Sequence, residues 1–223
     1  MIYIFVTIFP NLIEPYFKDS ILSRAIKDGL IDVKFYNPRD YATNKHKKVD
    51  DKLCGGGAGQ LMTVQPLFDC LDDIIATYDS CHILFLSACG KKYVQNDAKR
   101  LATKETIVFV SSRYEGVDER VLERYAAEVF SIGSYVLTGG ELPSLVLADS
   151  IARNINGVLG NDLSLKEESY NTDNMLEAPA FAKPLKYKGQ SVIYGYISGD
   201  HQNIKNIKNQ LSRQKTDYFS PEQ

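Results

Sequence analysis

The sequence predicts an α/β fold: a parallel sheet with helices on both faces, followed by a small, mainly helical C-terminal domain. Three observations carry this expectation. Short apolar runs alternate with segments of helical periodicity from the N-terminus to about residue 160. The composition, 44% hydrophobic and 24% charged, is that of a globular chain, and 223 residues are ample for a buried core. Beyond residue 160 the alternation gives way to a polar, acidic stretch and then to a basic tail.

The elements follow in order. Residues 2–9 (IYIFVTIF) suit a fully buried first strand. Pro15–Lys27 carries an apolar stripe at helical spacing, through Tyr16, Phe17, Ile21, Leu22, Ala25 and Ile26. Ile31–Tyr36 alternates and reads as a second strand. A long polar stretch, 37–52, ends in the glycine cluster 55–59. Leu67–Tyr78 reads as a helix, Ile83–Leu86 and Ile107–Val110 as strands, with a helix near 96–103 between them. Then come a loop over 112–118, a helix over 119–125, a strand over 129–132 and a turn over 138–140. Pro143 suits the first turn of a helix reaching about Asn154, because its missing N–H has no partner there anyway. In the tail, 191–197 reads as a strand and 201–215 as a basic helix.

Several classes of protein are excluded early. A formal charge of −2, from 26 basic and 28 acidic residues, rules out a chain coated in positive charge but not a local basic patch. No apolar run reaches 18 residues, so no membrane span is expected. The apolar N-terminus lacks the basic start and small-residue cleavage site of a signal peptide. Cys54, Cys70, Cys81 and Cys89 form no C-x-x-C pair, and only three His are present. Reduced thiols in a cytoplasmic protein are expected rather than a zinc site.

Glycine-bearing clusters stand at the ends of three predicted strands: LSACG (86–90), SRYEG (112–116) and SIGSYVLTGG (131–140). In parallel α/β sheets the carboxyl ends of strands are where ligands bind, and glycine there lets a ligand approach main chain. One such cluster would be a tight turn; three in series suggest a ligand site. The common nucleotide signatures are absent. Gln60 breaks G-x-G-x-x-G, and Phe85 and Lys92 break the phosphate-binding loop around Gly90-Lys91. A pocket walled by backbone suits an adenine-bearing cofactor.

These motifs, with VDDKLCGGGAG (49–59), NPRDY (37–41) and GGELPSLVLADSIARNINGVLG (139–160), resemble the bacterial tRNA (guanine-N1)-methyltransferases, members of the SPOUT superfamily. The resemblance runs from IFVTIFP (4–10) to ISGDH (197–201). It implies a deep C-terminal trefoil knot in the α/β domain, S-adenosyl-L-methionine as cofactor with Mg²⁺ as a possible second, and tRNA as substrate. The site methylated is N1 of the guanine immediately 3′ of the anticodon. It further implies a homodimer with a composite active site, and a division into a knotted domain (1–160), a flexible linker (161–174) and a tRNA-binding domain (175–223). An enzyme of the same superfamily acting on ribosomal RNA, and a non-catalytic RNA-binding protein, are the alternatives.

By the same resemblance, the cofactor residues are Leu86, Ser87 and Gly90 in the first loop, and Ser112, Tyr114, Glu115 and Gly116 in the second. In the third they are Ile132, Gly133, Ser134, Tyr135, Val136, Leu137 and Gly140, with Pro143 behind it. The chain departs from the family where it has Ala88-Cys89 for the usual Pro-Gln, and Ser112 for Gly. Methylation at N1 requires removal of the N1 proton and stabilisation of charge building toward O6. Arg153 stands at the family's catalytic arginine. Glu168, in Glu168-Ser169-Tyr170 where the family usually has Asp-Ser-Phe, stands at its general base; Glu167 and Asp173 are the alternatives. Glu and Asp differ intrinsically by only ~0.4 in pKa, so the extra methylene changes geometry more than basicity. Glu177 replaces another usual Asp, with a role toward the cofactor's amino group or Mg²⁺. The resemblance implies tRNA contacts at Arg39, Asp50, Gly55, Gly56, Gly57 and Gly59, and the basic charge of the tail suggests phosphate contacts at Lys205, Lys208 and Arg213.

Overall fold

The computed structural model describes residues 1–160, 168–170 and 175–219. The chain divides into two units, Met1–Gly160 and Asn161–Gln223.

The first unit is built on a five-stranded parallel sheet. Its strands are β1 (Ile2–Val6), β2 (Asp32–Tyr36), β5 (Cys81–Lys92), β6 (Thr106–Val110) and β7 (Glu128–Ser131), in the order β2-β1-β6-β5-β7. β1 lies in register with β6 from Ile2↔Thr106 to Val6↔Val110, and β5 with β6 from Cys81↔Thr106 to Phe85↔Val110. Every residue of β6 is buried, as expected for a central strand covered on both faces.

The period of two along these strands divides the core. Tyr3, Phe5, Leu84, Leu86, Ile107 and Phe109 point to one face. There they meet α1 (Ser20–Lys27), α3 (Gln95–Leu101) and α5 (Glu141–Ala152) through Leu22, Ala25, Ala98, Leu101, Leu147, Ala148 and Ile151. Ile4, Val6, Ile83, Phe85, Val108 and Val110 point to the other. They are covered by α2 (Val64–Thr77) and α4 (Glu119–Tyr125) through Leu67, Cys70, Leu71, Ile74, Val121 and Tyr125. Burial pushes the Cys70 thiol up to about 12, so this cysteine is an apolar core group rather than a nucleophile.

Two expected elements take another form. The helix expected over 15–27 is two pieces, a 3-10 helix (Glu14–Phe17) and α1. Ser20, at φ 59°, breaks the turn between them, and the Asp19 side chain accepts its N–H. In the second unit the strand expected over 191–197 does not form. Instead β8 (Lys186–Tyr187) and β9 (Gln190–Ser191) close a hairpin, and Tyr194–Ile197 is a helix, α6. Lys188 and Gly189, both at positive φ, turn the hairpin after two residues. The apolar residues beyond it pack locally: Tyr196 stacks edge-on to Phe181, and Gly195 admits the Ile207 side chain of α7 (His201–Phe219). Asp200 caps α7 by accepting from the amides of Gln202 and Asn203.

Candidate active site

β5, β6 and β7 end side by side, and the loops that leave them enclose a cleft of about 250 Å³. β5 supplies Leu86, Ser87, Ala88 and Cys89, and its register against β7 jumps between Leu86 and Lys91, which throws this segment out of the ladder. The segment after β6 supplies Ser112, Tyr114, Glu115 and Gly116, and that after β7 supplies Ile132, Gly133, Tyr135, Val136, Leu137, Gly139 and Gly140. Pro143, in the first turn of α5, closes the back.

Main chain lies close against main chain where the third loop meets the second. The Gly140 amide donates to the Ser112 carbonyl at 2.8 Å. A Cβ at Gly140 would stand 2.6 Å from the Ser112 nitrogen and 2.8 Å from the Ser111 Cα. Its φ of −83° suits any residue, so close approach alone demands glycine here. The Ser112 hydroxyl turns away to donate to the Leu86 carbonyl at 3.2 Å, joining the first two loops.

The glycine-rich segment docks on the same wall. The Glu115 amide donates to the Gln60 carbonyl at 2.9 Å, and the Met62 amide to that of Gly116 at 3.0 Å. Gly59, at φ +88°, lies so close to Glu115 that a side chain there would collide with its carboxylate. Gly55, Gly56 and Gly57 also have positive φ and face open space. Residues expected at tRNA and at the cofactor thus meet at Glu115. Asp50, on β3 (Asp50–Asp51) opposite Met62 of β4 (Leu61–Met62), is nearly buried. Arg39 lies in a short 3-10 helix capped by Asn37 and donates to the Lys47 carbonyl at 3.3 Å.

A charge network braces the first loop from behind. Asp97, almost buried, receives Lys91 at 2.9 Å and Arg100 at 3.1 Å. Arg100 also holds Glu128 at 2.7 Å, and His82 meets Glu128 at 2.8 Å. Burial alone would raise the pKa of both carboxyls. For Asp97 the Lys91, Arg100 and Val94 amide bonds outweigh it, and for Glu128 the Arg100 and His82 bonds do, so both lie below the ordinary carboxylate range.

Gly90 and Ser134 are not in the cleft lining. Gly90 is pressed against β7, where a Cβ would meet the Phe130 backbone at 2.6 Å. Ala88, Cys89, Phe130, Ser131 and Gly139 line the cleft without having been expected to. Ala88, Cys89 and Gly139 sit between expected residues and were legible from the loops. Phe130 and Ser131 were hidden in a strand, because alternation does not mark where a strand end turns toward a ligand.

Arg153 does not line this cleft. It caps the far end of α5, thirteen residues from Gly140, which at a rise of 1.5 Å per residue is ~20 Å along the helix. There it borders an apolar groove with Tyr16, Leu142, Leu145 and Val146. Leu142 is 57% exposed and Tyr16 48%. Glu168 and Glu177 belong to the second unit. Ser169, beside Glu168, accepts the Glu177 amide at 2.9 Å, and Tyr170 donates its amide to the Met175 carbonyl. Glu167 and Asp173 lie outside the described residues, as does most of the expected linker. Lys205, Lys208 and Arg213 are exposed on α7, where Ile204, Ile207 and Leu211 are half-buried. Among the described residues no group of three His, Cys, Asp or Glu could hold a metal ion, and no helix is long and apolar enough to cross a membrane.

A cleft at the carboxyl edge of a parallel α/β sheet is the place where such folds take a small ligand. The family described as tRNA (Guanine-1)-methyltransferase TrmD matches residues 1–222, and the chain belongs to it. It is 56% identical over 218 residues to the tRNA (guanine-N(1)-)-methyltransferase of Sulfurovum sp. (strain NBC37-1), covering 98% of this chain and 96% of that one. The protein of the same name from Sulfurimonas denitrificans is 55% identical over 223 residues, 100% of this chain and 96% of the relative. That from Campylobacter fetus subsp. fetus is 53% identical over 218 residues, 98% and 92%.

Proposed function

We propose that this chain transfers the methyl group of S-adenosyl-L-methionine to N1 of the guanine immediately 3′ of the tRNA anticodon, in the cytoplasm. The observation that carries the proposal is the cleft itself: three loops from adjacent strand ends meet around it, in a chain of this family. The cofactor fits it chemically. Leu86, Ile132, Leu137 and Pro143 offer apolar contact for an adenine, the loop amides and carbonyls offer main-chain partners, and Glu115 offers a negative charge to the cofactor's cationic part. The bound cofactor supplies an electrophilic methyl group.

The carboxylate of Glu168 accepts the N1 proton, which frees the in-plane lone pair. Arg153 donates to O6 as negative charge moves there. Glu177 stands near the same centre through its bond to Ser169. Arg39, Asp50 and the Gly55–Gly59 segment face the target nucleotide and its neighbours, and Lys205, Lys208 and Arg213 hold phosphates.

The active site takes residues from two copies of the chain. Support comes from α5, which sets Arg153 ten residues, ~15 Å along the helix, beyond Pro143 at the cleft of its own chain. The exposed apolar groove beside Arg153 is where a second copy would seat.

Incubation with unmodified tRNA carrying that guanine, followed by nucleoside analysis, tests the reaction. 1-Methylguanosine at that position is expected. No methylation at saturating cofactor, or methylation of ribosomal RNA instead, overturns the proposal. Mixing Arg153→Ala chains with chains carrying Gly140→Val tests the composite site. Each alone should be inactive, and an equal mixture should regain up to about a quarter of wild-type activity, because random pairing makes about half the dimers mixed and each of these has one intact site of two.

A further inference from the structure

We infer that Arg113, which does not line the cofactor cleft, is the positioning residue that fixes its width. The inference rests on the proposed function. Arg113 lies between the second loop, which it begins, and the third loop, on which its side chain acts. Its guanidinium lies over the Phe9 ring at 4.6 Å, donates through Nη1 to the Thr138 carbonyl at 3.2 Å, and brings Nε within 2.8 Å of Glu141 Oε2. Gly139 rests on it, and a Cβ there would stand 2.5 Å from Nε.

The partner carboxylate is buried. Glu141, at the start of α5, is 3% exposed, and its Oε1 accepts from Thr7 Oγ1 at 2.8 Å, just beyond the end of β1. Nε and Oε2 are close but lack hydrogen-bond alignment, and neither has another partner. Charge attraction therefore holds them, and the buried Glu141 carboxylate would lose its cationic partner without the guanidinium. Thr7, Glu141, Arg113 and Thr138 thus join the ends of β1, β6 and α5 to the third loop. This is beside the Gly140–Ser112 hydrogen bond, so releasing the guanidinium removes one of two ties between these cleft walls.

The prediction is a loss of cofactor affinity without a loss of chemistry. Wild type, Arg113→Ala, Arg113→Lys and Glu141→Gln are compared for calorimetric binding of S-adenosylhomocysteine, for KM and kcat with tRNA, and for Tm. Losing one charge-assisted contact, about 1.4 kcal/mol, gives an affinity about tenfold weaker and a KM raised alike in Arg113→Ala, with kcat within about twofold. Arg113→Lys recovers little, because an ammonium neither lies flat on Phe9 nor spans Thr138 and Glu141 together. Leu147→Ala, in the core, is the control for stability alone. If Arg113→Ala, or Arg113→Lys and Glu141→Gln should the alanine variant not fold, lowers Tm but leaves affinity and KM within twofold, the inference fails. A fall in kcat at unchanged KM also overturns it. If wild type binds no S-adenosylhomocysteine, it is the functional proposal that fails, and this inference with it.

Discussion

A single methyl group at Gly140 is the sharpest probe of the cleft. In Gly140→Ala the new Cβ would begin 2.6 Å from the Ser112 nitrogen, against an ordinary contact distance of roughly 3.5 Å. One main chain must retreat by ~0.9 Å. Retreat along the Gly140–Ser112 hydrogen bond would stretch it from 2.8 Å to beyond bonding range. Losing the bond costs about 1 kcal/mol, and the overpacking a further ~2 kcal/mol. For a chain of this size ~3 kcal/mol lowers Tm by about 6–12 °C. The same retreat parts two cleft walls, so affinity for S-adenosylhomocysteine should fall at least about tenfold. Differential scanning fluorimetry and calorimetric titration measure the two effects. A variant that melts within 2 °C of wild type (well under the ~6 °C expected) and binds within twofold would refute the close-approach account.

Other expected outcomes follow from the same geometry. Leu147→Ala deletes a fully buried side chain and should cost about 3 kcal/mol, read as a lower Tm with cofactor affinity unchanged. Asp97 and Glu128 have folded pKa values below their unfolded ones, so their stabilisation is complete above the unfolded values of about 4 and is lost as pH falls through the folded ones. Tm should therefore drop on acidification, and Asp97→Asn should flatten that slope; parallel curves for variant and wild type would count against the network. Lys205→Ala and Arg213→Ala should each weaken tRNA binding and reduce the slope of log affinity against log salt by about 1, measured by filter binding across a salt series.

Most of the sheet was legible because β1, β6 and the start of β5 are short apolar runs while β2 alternates. Chain order and period, however, do not reveal strand order: that β6 lies between β1 and β5 follows only from the ladders. The 191–197 run misled because a short apolar stretch carries no period that separates strand from helix. At the site, the glycines betrayed the cleft walls, since close approach leaves a mark in composition. Arg113 left no such mark. An arginine in a loop looks solvated until Phe9, Glu141 and Thr138, distant in sequence, are brought around it.

α5 has one further consequence. It begins at the cofactor cleft, ends at Arg153, and buries Leu147, Ala148, Ile151 and Ala152 between. Such a helix works as a ruler. One inserted residue would turn everything beyond it by about 100° and advance it by ~1.5 Å. The buried stripe would rotate toward water while Arg153 swung off its bearing. Its loops can absorb a change of length; this segment cannot, so the span from the cleft to Arg153, on which the proposed composite site depends, is set by a count of residues as much as by their kinds.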